Sequence, residues 1–304
     1  MSAEYYTFGE ILWDFLPTGK HAGGAPFNVA VHLAQLGCPA SLISAVGHDP
    51  LGDEILALAA GKAVETHFIS RAADTLPTGT VTVALDARGN ASYKFLQPAA
   101  WDEISAGEEV VAAVGGARAL VFGSLALRSA HNLQRLQPLL ETSGPMKFFD
   151  INLRPPFVNL PLVLELAGKV DVLKLNEEEL GLLVAWIQNS DTDASRLLSL
   201  PEVAEACATV ARASAVPRIC VTRGSHGAAF WQAGRLVSTA APEVQVSDTV
   251  GAGDAFMAAL VAGLTQQKEP LEALERACRV GAFVASQSGA TPWLPPDLIR
   301  EFCV

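Results

Sequence analysis

Residues 248–254 read Asp-Thr-Val-Gly-Ala-Gly-Asp, followed by the apolar run Ala-Phe-Met-Ala-Ala-Leu-Val-Ala-Gly-Leu. Gly251, Ala252 and Gly253 are small enough for their backbone N–H groups to converge on one point. An apolar helix starting near Asp254 would aim the positive end of its dipole at that point. The result is an anion cradle built from main chain rather than from lysines. A carboxylate at its rim repels the anion the cradle attracts, so its presence calls for a chemical reason. A base beside a phosphate cradle is what phosphoryl transfer to a hydroxyl requires. The plainer reading makes Asp254 the helix N-cap, a position that Asp favours.

Other polar groups stand where strands or helices would present them. Gly23-Gly24-Ala25-Pro26-Phe27-Asn28 leads into an alanine-rich helix. The paired glycines permit close backbone approach, and Asn28 on the first turn can both donate to and accept from a polyol, or simply cap the helix. Asp14 precedes that turn as an acidic group after a strand. Asp150-Ile-Asn152-Leu-Arg154 places three polar side chains on one side of a strand end, and the plainer alternative is an Asp–Arg pair holding a loop. Asn176 and Glu179, three apart at a helix start, suit hard oxygen ligation of Mg²⁺ through waters, or acids favouring the helix dipole. Thr222-Arg-Gly224-Ser-His-Gly227 reads as a hairpin turn or a nucleotide-phosphate loop.

These groups need a scaffold. Apolar runs at 5–12, 41–46, 119–122, 147–151, 172–175 and 219–222 predict strands. Helical spacing covers 26–36, 51–62, 130–141, 177–186, 203–214, 254–264 and 270–287. Such alternation predicts an α/β fold, a mostly parallel central sheet flanked by helices on both faces. The stretch 80–96 departs from it, with period-two strands around a turn at 86–90, and 13–22 could add a second short hairpin. We expect a single domain over 1–304, with about 13–24 and 78–97 forming a small β-strand lid.

Bulk properties exclude several functions. The chain has 304 residues, half of them hydrophobic, and a net charge of −11. That acidity argues against a nucleic-acid or anionic-membrane surface, and no run of about 18 apolar residues could span a bilayer. Five scattered cysteines without metal-type spacing suit reduced thiols, and the N-terminus does not read as a signal peptide, so a cytoplasmic location is expected. Neither Gly-x-Gly-x-x-Gly nor a Walker-type loop is present.

Gly23–Gly37 and Asp248–Leu264 resemble the two signature regions of the ribokinase-like (PfkB) sugar kinases, and the intervening motifs fall in the same order. Within that family Gly-Gly-Ala-Pro-x-Asn-Val-Ala and Asn-Leu-Arg-Pro-Pro are most similar to bacterial fructokinases. The resemblance implies ATP-dependent phosphorylation of a sugar hydroxyl, most readily D-fructose to fructose 6-phosphate. Family alternatives are 2-keto-3-deoxygluconate, ribose, aminoimidazole riboside or a nucleoside; a non-catalytic sugar- or nucleotide-sensing protein is the rival outside enzymes. It implies Asp254 as base, Gly251–Gly253 as anion hole, and Asp14, Gly24, Asn28 and Arg154 around the sugar. Asn176 and Glu179 would organise Mg²⁺, and Thr222, Gly224 and Gly227 would line the ATP site. A monovalent cation such as K⁺ would use Asp248 and carbonyls around Val250 and Gly289, and a homodimer would form through the lid. Two positions depart from the family pattern. Trp293 stands where a small residue is frequent, and the asparagine often found near Ala277–Cys278 is missing.

Overall fold

The apolar, β-branched and aromatic runs form strands because a sheet covered on both faces buries every side chain they carry. The computed structural model describes residues 3–16, 19–85, 91–190 and 196–302. Its strands are β1 (Tyr5–Phe8), β2 (Leu12–Leu16), β3 (Gly19–Gly23), β4 (Ala40–Val46), β5 (Ile69–Arg71), β6 (Gly79–Leu85), β7 (Ala91–Phe95), β8 (Ala119–Gly123), β9 (Met146–Asp150), β10 (Val172–Asn176), β11 (Arg218–Thr222), β12 (Ala228–Gln232) and β13 (Arg235–Thr239). The helices are α1 (Ala25–Gln35), α2 (Pro50–Gly61), α3 (Glu108–Gly115), α4 (Ala130–Glu141), α5 (Leu160–Ala167), α6 (Glu177–Gln188), α7 (Leu200–Ser214), α8 (Ala252–Thr265), α9 (Pro270–Ala285) and α10 (Pro296–Arg300).

A nine-stranded sheet runs in the order β13-β12-β11-β10-β9-β8-β1-β4-β5. Strands β1, β4, β5 and β8 to β11 are parallel, and β12 and β13 form an antiparallel edge. Period-two alternation divides the strand residues between two cores. Val121, Phe148, Val172 and Cys220 face the layer of α1, α2, α8 and α9. Leu120, Phe149, Leu173 and Val221 face the layer of α3 to α7. Strand β1 lies between β4 and β8, so the chain departs from it in both directions. In open sheets of this kind the crevice at such a switch point takes ligands at the carboxyl ends of the strands.

The second sheet has the order β3-β2-β6-β7, with β2 parallel to β6 and both outer pairs antiparallel. Its strands fall in the two stretches that broke the helical pattern; the turn expected at 86–90 lies outside the described residues. One expectation is corrected here. The strand predicted over 5–12 ends at Phe8, and the chain joins the smaller sheet at Leu12. Between them Gly9 takes φ +146°, where a side chain would strike the Pro26 ring at the start of α1. Strands β5, β12 and β13 and helices α3 and α5 were not foreseen.

Candidate active site

Helix α8 is apolar on every side because it is buried between the sheet, α1 and α9. Its start is what the glycines decide. Gly251 is the N-cap at φ +78°, and a Cβ there would collide with the backbone of Ala290. The N-cap supplies no side chain, so the first-turn amides of Gly253 and Asp254 have no acceptor within the helix. The Ala252 N–H is spent on the Thr249 carbonyl at 3.3 Å, so fewer than the expected three amides converge. Asp254 sits inside the first turn, not at the cap, which removes the capping explanation. Its Oδ2 instead accepts a hydrogen bond from Asn28 Nδ2 at 2.8 Å. Burial raises the Asp254 carboxyl to about 6; the Asn28 bond, Lys174 and Arg154 pull it down and Asp150 pushes it up. Such a group is ionised at neutral pH yet more basic than an ordinary aspartate, as a general base should be.

Asn28 belongs to α1, whose N-cap is Gly24 at φ +110°; a side chain there would run into the Glu10 carbonyl. With Nδ2 on Asp254, the buried Oδ1 of Asn28 has no partner, which leaves an acceptor for a hydroxyl donor. Asp14 lies on β2, opposite His21 of β3, and its carboxylate occupies the space a Gly23 side chain would need. Burial raises Asp14 to about 6, with His21 and Arg154 opposing. The row of Asp150, Asn152 and Arg154 does not share a strand face: β9 ends at Asp150, and Asn152 turns the chain at φ +42°. Arg154 is exposed in the following loop, and its charge acts on Glu10, Asp14 and Asp254 together. Nor does Asp150 pair with an arginine. Its Oδ2 holds Lys174 Nζ at 2.8 Å.

That lysine corrects the expectation of a cradle without one. Lys174 is buried on β10, beside Asp150 in register, and a Cβ placed on Gly253 would lie 3.5 Å from its Nζ. Burial alone would discharge it, but the charge and hydrogen bond of Asp150 prevail and raise its pKa. A fixed ammonium therefore lies beneath the amides of α8. Two residues on, Asn176 caps α6 in a reciprocal capping box: Asn176 Oδ1 accepts from Glu179 N and Glu179 Oε2 accepts from Asn176 N, both at 2.8 Å. Glu179 is buried, and its Oε1 also accepts from Leu153 N at 2.7 Å. Each carboxylate oxygen keeps a further lone pair, so the residue suits a water-bridged cation and not a bare one. Thr222 ends β11 in register with Asn176, and Gly224 and Gly227 shape the turn into β12. At Gly227, with φ +88°, a side chain would collide with the Thr239 carbonyl. Asp248 Oδ1 accepts from Val250 N at 3.0 Å and Oδ2 from Gly289 N at 3.3 Å, tying the approach to α8 to the segment after α9.

Residues 15–297 match the profile of the pfkB family carbohydrate kinases. The chain belongs to that family. A fructokinase of Klebsiella pneumoniae is 30% identical over 325 residues, covering 99% of this chain and 100% of the relative. A Vibrio cholerae O395 fructokinase, solved with fructose, ADP and calcium ion bound, superposes with a TM-score of 0.79 at 25% identity over 99% of this chain and 98% of that one. A Xylella fastidiosa fructokinase with bound ATP shares the fold, with a TM-score of 0.81 at 24% identity and 98% of each chain covered. The kinase is thus a phosphotransferase with an alcohol acceptor.

Two groups in this carbohydrate kinase escaped the sequence reading. One is Lys174. The other is Glu10, buried behind Gly24, whose Oε1 accepts from Ala25 N at 3.1 Å and so serves α1 where its N-cap glycine cannot. Burial, with the Asp254 charge adding to it, raises Glu10 to about 7.

Proposed function

We propose that this kinase moves the γ-phosphoryl group of ATP to a primary hydroxyl of a monosaccharide, with D-fructose to fructose 6-phosphate as the reaction. One observation carries the reading: Asp254, at the mouth of the α8 amides, is held by an Asn28 side chain that still offers an unpartnered acceptor. A sugar hydroxyl donating to Asn28 Oδ1 would stand beside the Asp254 carboxylate. Asp254 would take the proton as the oxygen attacks, and the amides of Gly251–Gly253 and the Lys174 charge would receive the phosphoryl oxygens. Asp14, Gly24 and Arg154 would complete the sugar contacts, and Thr222, Gly224 and Gly227 would line the nucleotide. Asn176 and Glu179 would hold Mg²⁺ through waters, and the bound ion would neutralise phosphate oxygens. The smaller sheet would close over the sugar as a lid and exclude water that hydrolyses ATP. Full-length relatives named fructokinase, and a neighbour crystallised with fructose and ADP, support fructose.

A second reading rests on Arg154. An exposed guanidinium reaching this crevice would favour an acidic sugar such as 2-keto-3-deoxygluconate. A coupled ADP-release assay across fructose, 2-keto-3-deoxygluconate, ribose, aminoimidazole riboside and nucleosides, run against a MgCl₂ titration, separates the two. Fructose should give a kcat/KM at least about tenfold above the others, as expected of one well-placed polar contact. In the same assay Glu179→Gln should raise the Mg²⁺ needed for half-maximal rate; an unchanged titration removes that role.

The kinase would work in the cytoplasm, where Cys207, Cys220 and Cys278 persist as buried thiols. Among the described residues no helix is long and apolar enough to cross a membrane. A homodimer would form through the small sheet, whose strand β2 carries an exposed Phe15 and whose outer strands β3 and β7 leave open edges. Light scattering at micromolar concentration should give twice the chain mass; a monomer there removes the dimer.

A further inference from the structure

Helix α1 is apolar except for one stripe. Asn28, His32 and Gln35, at spacings of four and three, share a face. Asn28 reaches Asp254, and the other two reach the segment after α9. His32 Nε2 donates to the Ala290 carbonyl at 3.0 Å. Gln35 Nε2 donates to the Pro292 carbonyl at 3.1 Å, and its Oε1 accepts from Leu294 N at 2.7 Å. Between them Lys62, just past α2, donates from Nζ to the Thr291 carbonyl at 3.0 Å and lies 4.5 Å over the Trp293 ring. Three successive carbonyls, 290 to 292, are therefore each held by a side-chain donor. Ala290 is also the residue against which Gly251 is packed so closely that a Cβ would not fit.

His32 is fully buried, and burial lowers it to about 4, so at neutral pH it is an uncharged imidazole with its proton on Nε2. Its Nδ1 has no partner. A buried imidazole with one nitrogen unsatisfied is a poor choice for packing alone, and its remaining bond is the one to Ala290.

The monovalent cation that the resemblance implies does not fit this arrangement. Both Asp248 oxygens already accept amide N–H groups, the carbonyls of 290–292 are taken, and position 293 carries an indole without an oxygen. Its ring is turned to Lys62. We propose that His32, Lys62 and Gln35 form a clamp on residues 290–294 that sets Gly251 and the phosphate cradle, and that this kinase therefore turns over without a monovalent cation. The three are positioning residues, acting through the backbone of Ala290 on amides that meet the phosphate. The functional consequence rests on the phosphoryl-transfer reading above; the cation part stands apart from it.

Two measurements test the clamp. Thermal melts of the wild-type chain in KCl and in tetramethylammonium chloride at equal ionic strength should give midpoints within about 1 °C, because an ion that does not bind the native state cannot stabilise it. A K⁺-specific rise of several degrees, saturating with concentration, overturns the proposal even if no sugar is ever found to react. With the active sugar in hand, K⁺ should change kcat by less than about twofold, and His32→Leu should lower kcat about tenfold or more with the sugar KM nearly unchanged, since a small misplacement of the cradle acts on the transition state. His32→Gln keeps a donor of similar reach and should restore kcat to within about threefold. Should His32→Leu not fold, Lys62→Met, at the edge of the same segment, takes its place and should lower kcat with the same unchanged KM. Wild-type kcat in the Leu or Met variant, or strong activation of the wild type by K⁺, overturns the clamp. Absence of turnover with every sugar counts against the kinase reading and leaves the melts to decide.

Discussion

Asp254→Asn should bind the sugar almost as well as the wild type and turn it over at least about a hundredfold more slowly, within the range of about 10²- to 10⁴-fold that a positioned base contributes. The amide keeps the acceptor that Asn28 Nδ2 uses, so the geometry around Asn28 should survive. Only the proton acceptor is lost. The same substitution should stabilise the fold at pH 8. The folded Asp254 carboxyl is raised from 3.8 to about 6, chiefly by burial. Between those values the folded chain holds a proton that the unfolded chain has released, so stability falls as pH rises through the window and the loss is complete above it. Asparagine carries no such loss, and the gain has a ceiling of roughly 3 kcal/mol. Melts at pH 8 and pH 4 together with single-turnover kinetics decide it. A variant with near-normal turnover removes Asp254 as the base, and one that is slow but gains no stability at pH 8 removes the electrostatic account of its pKa. The wild-type kcat/KM should fall as pH drops below about 6, with Asp14 and Glu10 titrating nearby so that the apparent values belong to the cluster.

The central sheet was legible because its strands are buried on both faces and read as short apolar runs between helical stretches. The site was legible where glycine was obligatory. Gly24, Gly227 and Gly251 each take a positive φ, and each would drive a side chain into a neighbouring backbone, so a small residue there marks a close approach that the local sequence alone reveals. Elements decided by distant contacts were not legible. β5 has three residues, β13 is a half-buried edge, and α5 opens on Leu-Pro-Leu, a run with neither period. The strand expected over 5–12 failed because its break at Gly9 answers to Pro26, a contact no local pattern contains.

Lys174 left a signal that was not used. Val-Leu-Lys-Leu lies in a strand where every neighbour is buried, and a lysine there must meet an anion. Met-Lys-Phe-Phe-Asp ends the neighbouring strand with a carboxylate. Two lone charges of opposite sign at the carboxyl ends of adjacent buried strands therefore predict each other. The stripe of Asn28, His32 and Gln35 is similar: polar residues on one face of an apolar helix point to what that face touches. What neither pattern contains is that the faces converge on the start of α8.

Lys174→Met should slow turnover by about 10²- to 10³-fold, the loss expected when one charged or dipolar stabiliser of a developing oxyanion is removed in a dry site. It should also destabilise the fold by about 3–5 kcal/mol, because Asp150 is left buried and unpaired. The two effects have different partners and can be pulled apart. In Asp150→Asn/Lys174→Met neither side chain is charged, and a neutral buried pair should recover most of the lost stability. Turnover should not recover, because the cation beneath Gly253 is still missing. Asp150→Asn alone keeps the cation and removes the carboxylate that raises Asp254, so its kcat/KM profile should move its acid limb to lower pH. Lys174→Met should move that limb the other way. Opposite displacements follow from charge at the base and not from loosened packing, which would broaden or depress both profiles alike. If the neutral pair regains both stability and turnover to within about threefold, Lys174 is a structural ion pair only, and the cradle works by its amides alone.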